Sequence, residues 1–335
     1  MRQNHSQGMY MKKAVKKKIV KAKAQSKKKP AQRAKRAAKL ATKPQPANGP
    51  DPRRRYFEHD GLRLHYWEWG DPREHTYVFV HGVRDQGRSW DHFLAELKIR
   101  GVPIKHAVAI DLRGHGDSAW PSSSRGYAHE DFLTDLAGLM KHLDKEPVTI
   151  IGHSLGGSMC LLYAGTFPDK VKRMVLLESL GPFARSDDEV PDIMAERLKG
   201  RDYVEIPFPH ETLEAAAKAI QKTFPLIPDR AALHMAKHGT NTNGGRYRWK
   251  HDPVLRYRTT TAMSEGQVEA YIRRLKCPIL FVYGTESDFM KSVRGHRAQM
   301  FPNATIVPIE GAGHHIPHEK PVELAEVVVP FLLQD

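Results

Sequence analysis

Val148-Thr149-Ile150-Ile151-Gly152-His153-Ser154-Leu155-Gly156-Gly157 is the stretch that decides the fold of this chain. Val148 to Ile151 is apolar and β-branched and reads as a strand, and Ser158 to Phe167 reads as a helix. Between them stands a serine with a glycine two residues before it and another two residues after it. At a strand-to-helix junction this is the pattern of a nucleophile elbow. The turn holds the serine backbone in a strained conformation, and side chains at the flanking positions would collide with the neighbouring strand and helix. The hydroxyl is pushed out at the carboxyl end of a sheet, where N–H groups of a helix N-terminus face an anion.

Working outward, strands and helices alternate. Leu62 to Trp69 alternates in polarity and ends at Gly70-Asp71-Pro72, as a strand does before a turn. Tyr77-Val78-Phe79-Val80 is continuously apolar, as in a strand buried on both faces. A helix over about Ser89 to Ile99, a strand Ala107 to Ile110 and a helix Glu130 to Leu143 precede the elbow. A strand Met174 to Leu177 follows it. The rhythm resumes with strand Ile279 to Tyr283, a short helix near Val293, strand Thr305 to Ile309 and helix Pro321 to Leu333. Such alternation predicts a mostly parallel α/β sheet covered by helices on both faces. Residues 181–274 interrupt it and are rich in helix formers, as in Glu211-Thr212-Leu213-Glu214-Ala215-Ala216-Ala217. The expected organisation is a basic tail over 1–50, a core over 51–180 and 275–335, and a helical lid over 181–274, above the serine. The plainer reading of the insertion is a peripheral decoration.

The net charge of +15 suggests nucleic-acid binding until it is located. Residues 1–50 carry 16 Lys and Arg and no Asp or Glu, leaving 37 basic against 38 acidic side chains elsewhere, a net of −1. The body is therefore neutral. The Lys/Ala/Pro-rich tail has too little apolar surface to offset chain entropy and is expected to be disordered alone. Its functional reading is a weak contact with a polyanion or a membrane surface. Its plain readings are a solvated extension or a translation start at Met9 or Met11. Cys160 and Cys277 give no disulfide framework and are expected as buried free thiols, as in a cytoplasmic protein. No apolar run approaches the roughly 18 residues of a membrane span, and no signal-peptide core is present.

A serine hydroxyl is a poor nucleophile at neutral pH and needs a base within hydrogen-bond reach, itself oriented by an acid. On this kind of sheet the chain order is serine, acid, histidine. The base is expected at His314, in Glu310-Gly311-Ala312-Gly313-His314-His315 after a strand, with His315 as the rival. The acid is expected at Asp288, in Gly284-Thr285-Glu286-Ser287-Asp288 after the strand Ile279 to Tyr283. Glu178, at the end of Val175-Leu176-Leu177, is the alternative acid; its structural reading is an anchor for the lid. The oxyanion hole needs two N–H donors. Leu155, after the nucleophile, and Val83, after His81-Gly82, are the expected pair, with His81 bracing its loop. Arg84 and Asp85 either face the pocket or form a surface ion pair. Asp111-Leu112-Arg113-Gly114-His115-Gly116-Asp117-Ser118 is dense in polar groups, but it precedes the nucleophile and reads as a structural loop.

Across about residues 56–333 the chain resembles the α/β-hydrolase superfamily. The resemblance is carried by His81-Gly82, the Asp111–Ser118 loop, the Gly152–Gly157 elbow, the Gly284–Asp288 loop and Gly313-His314. It implies an eight-stranded α/β-hydrolase fold with a Ser154–His314–Asp288 triad, and a lid between the sixth and seventh strands. Serine at the nucleophile position disfavours the Asp-dependent haloalkane dehalogenases and epoxide hydrolases. One departure concerns the acid: the family's usual Asp, three residues after the glycine, is Ser287 here, with Asp288 one residue later.

The expected function is a cofactor-free, metal-free serine hydrolase of a small-molecule acyl substrate, a carboxylic ester first, with thioester, amide and carbon–carbon bonds open to the same apparatus. The rivals are a non-catalytic, ligand-binding hydrolase fold and a polyanion-binding module centred on the tail.

Overall fold

The computed structural model describes residues 52–122, 126–200, 208–256, 263–288, 296–301 and 303–334. The expected basic tail and the short helix near Val293 lie outside them. The body is built on an eight-stranded sheet. Its strands are β1 (Arg53–His59), β2 (Leu62–Gly70), β3 (Thr76–Val80), β4 (His106–Asp111), β5 (Val148–His153), β6 (Val171–Leu177), β9 (Ile279–Gly284) and β10 (Ala304–Ile309), in spatial order β1-β2-β4-β3-β5-β6-β9-β10. All pairings are parallel except the two made by β2. Every residue of β3, β4 and β5 is buried, which explains why their sequences are apolar runs without alternation.

Helices cover both faces. On one face α2 (His129–Leu143) and α3 (Leu155–Thr166) contribute Leu136, Leu139, Met159 and Leu162 to a core with Val78, Ile110 and Ile150. On the other, α1 (Asp91–Ile99) and the C-terminal helix Pro321–Leu332 bring Phe93, Leu97, Leu324 and Val328 against Phe79, Ala109, Ile151 and Val175. Burying each such aliphatic side chain contributes about 1.5–3 kcal/mol. Both cysteines are free and buried. Burial pushes the Cys277 thiol up to about 11 and that of Cys160 higher still, so neither is a nucleophile at neutral pH.

The stretch between β6 and β9 holds α4 (Glu189–Gly200), α5 (Leu213–Thr223), α6 (Asp229–Gly239), the hairpin β7 (Thr240–Asn243) and β8 (Arg246–Trp249), and α7 (Glu265–Ile272). Thr212 caps α5 and the Ser264–Gln267 capping box starts α7. Helices α5 and α6 share a small core of their own, with Ala216, Ala232 and Met235 buried. The hairpin departs from the all-helical expectation. Its two-residue loop, Gly244-Gly245, has φ of +58° and +77°, the left-handed pair that a tight hairpin turn demands. The insertion is tied to the body by polar links. Lys250 Nζ lies 2.8 Å from Asp117 Oδ1, and Tyr127 donates to Asp252 Oδ2 at 2.6 Å. His234 Nε2 lies 3.2 Å from Asp91 Oδ2. No helix among the described residues is long and apolar enough to cross a membrane.

Gly156, in the first turn of α3, shows how tightly elbow and sheet are fitted. A Cβ there would lie 2.1 Å from the carbonyl oxygen of Val80, a backbone atom of β3 that cannot swing aside. Gly156→Ala is therefore expected to cost about 3 kcal/mol or more, as overpacking of a rigid contact does. The urea-denaturation midpoint checks it: an unchanged midpoint would show that α3 can ride away from β3.

Candidate active site

The site forms where the parallel strands β5, β6, β9 and β10 release the chain at their carboxyl ends, so each contributes one loop. Ser154 leaves β5 with φ +51° and ψ −115°, a conformation that costs a non-glycine residue about 1–3 kcal/mol and persists only where the surroundings enforce it. Its N–H donates to the Leu177 carbonyl of β6 at 2.9 Å, its carbonyl starts α3, and a Cβ at Gly152 would lie 2.6 Å from backbone atoms of Gly156 and Gly157. Close packing thus supplies the enforcement, and the hydroxyl is left partly exposed.

His314 follows β10 and is the residue that meets this serine. Its Nε2 lies 3.0 Å from Ser154 Oγ, and its Nδ1 lies 3.1 Å from Glu178 Oε2. An Nδ1–H donated to the carboxylate leaves the Nε2 lone pair to accept the serine proton, the tautomer a general base requires. The loop carrying His314 is held by three hydrogen bonds. Glu319 accepts from the N–H of Gly313 at 2.5 Å and from that of His315 at 3.0 Å, bracketing His314. His153 Nε2 donates to the His314 carbonyl at 2.7 Å. Burial, with the nearby His314 adding to it, pushes His153 down to about 3, so it stays neutral at neutral pH. Glu319 and His153 are positioning residues that the sequence analysis did not single out.

The acid was expected at Asp288, with Glu178 as the alternative. Asp288 lies exposed in the loop after β9, whereas the fully buried carboxylate facing the imidazole belongs to Glu178, the alternative acid. Glu178 directly follows β6 with φ +55°, and it accepts two more hydrogen bonds: from Gly284 N–H at 2.6 Å and from Ser287 Oγ at 2.5 Å. Both donors come from the loop in which the acid was expected. Ser287 stands at the family's usual Asp position, and its hydroxyl there serves the neighbouring strand's glutamate. The side chain of a glutamate is one methylene longer than that of an aspartate, and it spans from β6 to the imidazole.

The two segments that carry the expected oxyanion donors meet at this point. Leu155 is the first residue of α3, so its N–H has no intrahelical partner. The His81–Val83 loop packs onto the elbow: a Cβ on Gly82 would lie 2.9 Å from His153 Nδ1 and 3.3 Å from Ser154 Cβ. His81 is buried; its Nε2 accepts from Leu112 N–H at 3.1 Å and its Nδ1 meets the Gly82 carbonyl at 2.7 Å, a brace between two loops. Asp85 is buried as well, against His318 and Ser89, and does not form a surface pair. In the Asp111–Ser118 loop, the Asp111 carboxylate meets His65 Nδ1 at 2.8 Å and accepts from the N–H groups of Gly87 and Asp117 at 2.6 and 2.9 Å, bonds that hold loop to sheet.

A serine on a strained turn, an imidazole behind it and an eight-stranded sheet of this order can be compared with known proteins. The sequence profile described as "Alpha/beta hydrolase family" matches residues 77–327. The chain belongs to the α/β-hydrolase family. This hydrolase is 23% identical over 292 residues to a serine hydrolase-like protein of Dictyostelium discoideum, covering 82% of this chain and 80% of that one. It is 26% identical over 268 residues to an sn-1-specific diacylglycerol lipase of Mus musculus, covering 78% and 82%. Among solved structures, the thioesterase domain from the curacin biosynthetic pathway superposes with a TM-score of 0.73 at 23% identity, covering 84% of this hydrolase and 99% of that domain.

Insertion residues approach the residues on either side of His314. The Phe224 ring meets the His315 ring edge-on with centroids 4.1 Å apart, and Leu226 Cδ1 would lie 3.0 Å from a Cβ on Gly313.

Proposed function

We propose that this chain is a serine hydrolase that cleaves a carboxylic ester through an acyl-enzyme, with Ser154 as nucleophile, His314 as base and Glu178 as the acid. The observation that carries the reading is the unbroken relay Ser154 Oγ–His314 Nε2–His314 Nδ1–Glu178 Oε2, with steps of 3.0 and 3.1 Å across the His314 ring. His314 takes the serine proton as Oγ attacks the carbonyl carbon. The Glu178 carboxylate, held by two further donors, stabilises the imidazolium and keeps its tautomer. The N–H groups of Leu155 and Val83 receive the developing oxyanion. The imidazolium then protonates the leaving alcohol. In the second half His314 activates water, which attacks the acyl carbon and restores the free serine. The expectation of Asp288 as acid gives way to Glu178 in this scheme.

The insertion serves as a lid in the same proposal. Phe224 and Leu226 place apolar surface beside the base, which suits an ester with an apolar acyl or alcohol part. Turnover of a p-nitrophenyl ester by the wild type and its loss in Ser154→Ala tests the reading. A well-folded Ser154→Ala protein that kept wild-type turnover would overturn it.

A further inference from the structure

Beneath the base loop lies a second group of ligating side chains that the hydrolytic relay does not use. Asp85, His315 and His318 are 7%, 7% and 2% exposed, and each offers one ligand atom within 4.8 Å of the other two. Asp85 Oδ2 lies 3.3 Å from His318 Nε2. The other carboxylate oxygen, Oδ1, is engaged by Gln86 N–H at 3.0 Å and by the Ser89 hydroxyl, so Oδ2 is oriented toward the histidines. His315 and His318 come from consecutive turns, with the His318 N–H donating to the His315 carbonyl at 2.9 Å.

The anomaly is His315. Among the described residues neither of its ring nitrogens has a hydrogen-bond partner, and neither does Nδ1 of His318. A buried polar atom left unpaired costs about 1–3 kcal/mol, so native interiors rarely keep two on one ring. Its neighbours are rings: Phe224 at 4.1 Å, His153 at 5.4 Å and His318 at 6.1 Å between centroids. None of them answers the nitrogens.

The geometry points to a binding site for one divalent transition-metal ion of the zinc class, ligated by Asp85, His315 and His318. Two imidazoles and one carboxylate form a donor set that suits such ions, and it is unsuited to magnesium or calcium, which prefer oxygen. At the usual bond lengths near 2.0–2.1 Å, tetrahedral ligand atoms stand about 3.3 Å apart. The Asp85–His318 edge already has that length, and the three ligand atoms all lie within 4.8 Å of one another. The fourth position falls to water or another small ligand. The ion would join two loops of the hydrolytic site: Asp85 lies two residues beyond Val83, and His315 directly follows His314. This inference stands on the buried trio alone and holds whatever bond Ser154 cleaves.

The test uses the full-length protein, stripped with a chelator and titrated with Co2+, followed by displacement with Zn2+. Binding is read from ligand-field absorption and from metal content after desalting. His315→Leu removes a ligand without removing any hydrogen bond, so its fold is expected to survive. The wild type should hold one more tight equivalent of Co2+ than His315→Leu, and Zn2+ should displace it. Asp85→Asn should weaken that equivalent at least tenfold, and it carries the test if His315→Leu proves insoluble. His238→Ala is the control for the separate Asp91–His234–His238 cluster and should keep the equivalent. Equal stoichiometry in wild type and His315→Leu, or loss of the equivalent in His238→Ala, would overturn the assignment.

Discussion

Glu178→Gln is expected to lower kcat by about ten-thousand-fold while leaving KM and the fold nearly unchanged, the size of effect seen when a triad acid becomes its amide. The amide keeps the shape and can still accept from Gly284 through its oxygen. It cannot hold a positive imidazole, and its NH2 facing Nδ1 of His314 favours the tautomer with the proton on Nε2. That tautomer has no lone pair for Ser154. Asp288→Asn, by contrast, should leave kcat near wild type, because the His314 Nδ1 partner is 3.1 Å away on Glu178 and the Asp288 side chain is exposed. Steady-state kinetics on one ester decide between them. If Asp288→Asn is the variant that loses turnover and Glu178→Gln is not, the acid has been misassigned.

Ser154→Ala should cost more, about a million-fold in kcat, and the loss should be shared rather than additive. Once the nucleophile is gone, the base has no proton to take. Ser154→Ala combined with His314→Ala should therefore be no slower than Ser154→Ala alone, while His314→Ala by itself should approach the same floor. Additive losses in the double variant would mean that the two side chains act in separate steps. The alanine also removes no packing: Ser154 is only partly buried, and its enforced backbone is supplied by Gly152, Gly156 and the Leu177 carbonyl. A large loss of stability would contradict that reading of the elbow.

The fold was legible because its central strands are buried on both faces. Residues 77–80, 107–110 and 148–151 are apolar without alternation, and all of them lie inside the sheet. Strand β1 was not legible, since Arg53-Arg54-Arg55 is an exposed edge with no apolar pattern, held to β2 by ladder bonds and by Glu68, which Arg53 and Arg55 both reach. The hairpin inside the insertion had a local signal, Gly244-Gly245, that the surrounding helix formers obscured. The meeting of Ser154 with His314 was legible because glycines mark both loops. The Glu178–His314 contact joins residues 136 positions apart, and the turn to φ +55° just after a strand is a tertiary fact. A trace of it was nevertheless present in the sequence: a serine at the usual aspartate position, with a glutamate ending the preceding strand. The Asp85–His315–His318 trio likewise depends on two loops 230 residues apart, and no short motif announces it.

The most direct test of the account is the reaction of the wild-type protein with a fluorophosphonate probe, followed by peptide mapping of the adduct. Acyl transfer through an activated serine requires one adduct per chain, on Ser154, formed rapidly in the wild type and much more slowly in Glu178→Gln. A well-folded wild type that stays unlabelled, or an adduct on any other residue, would contradict it.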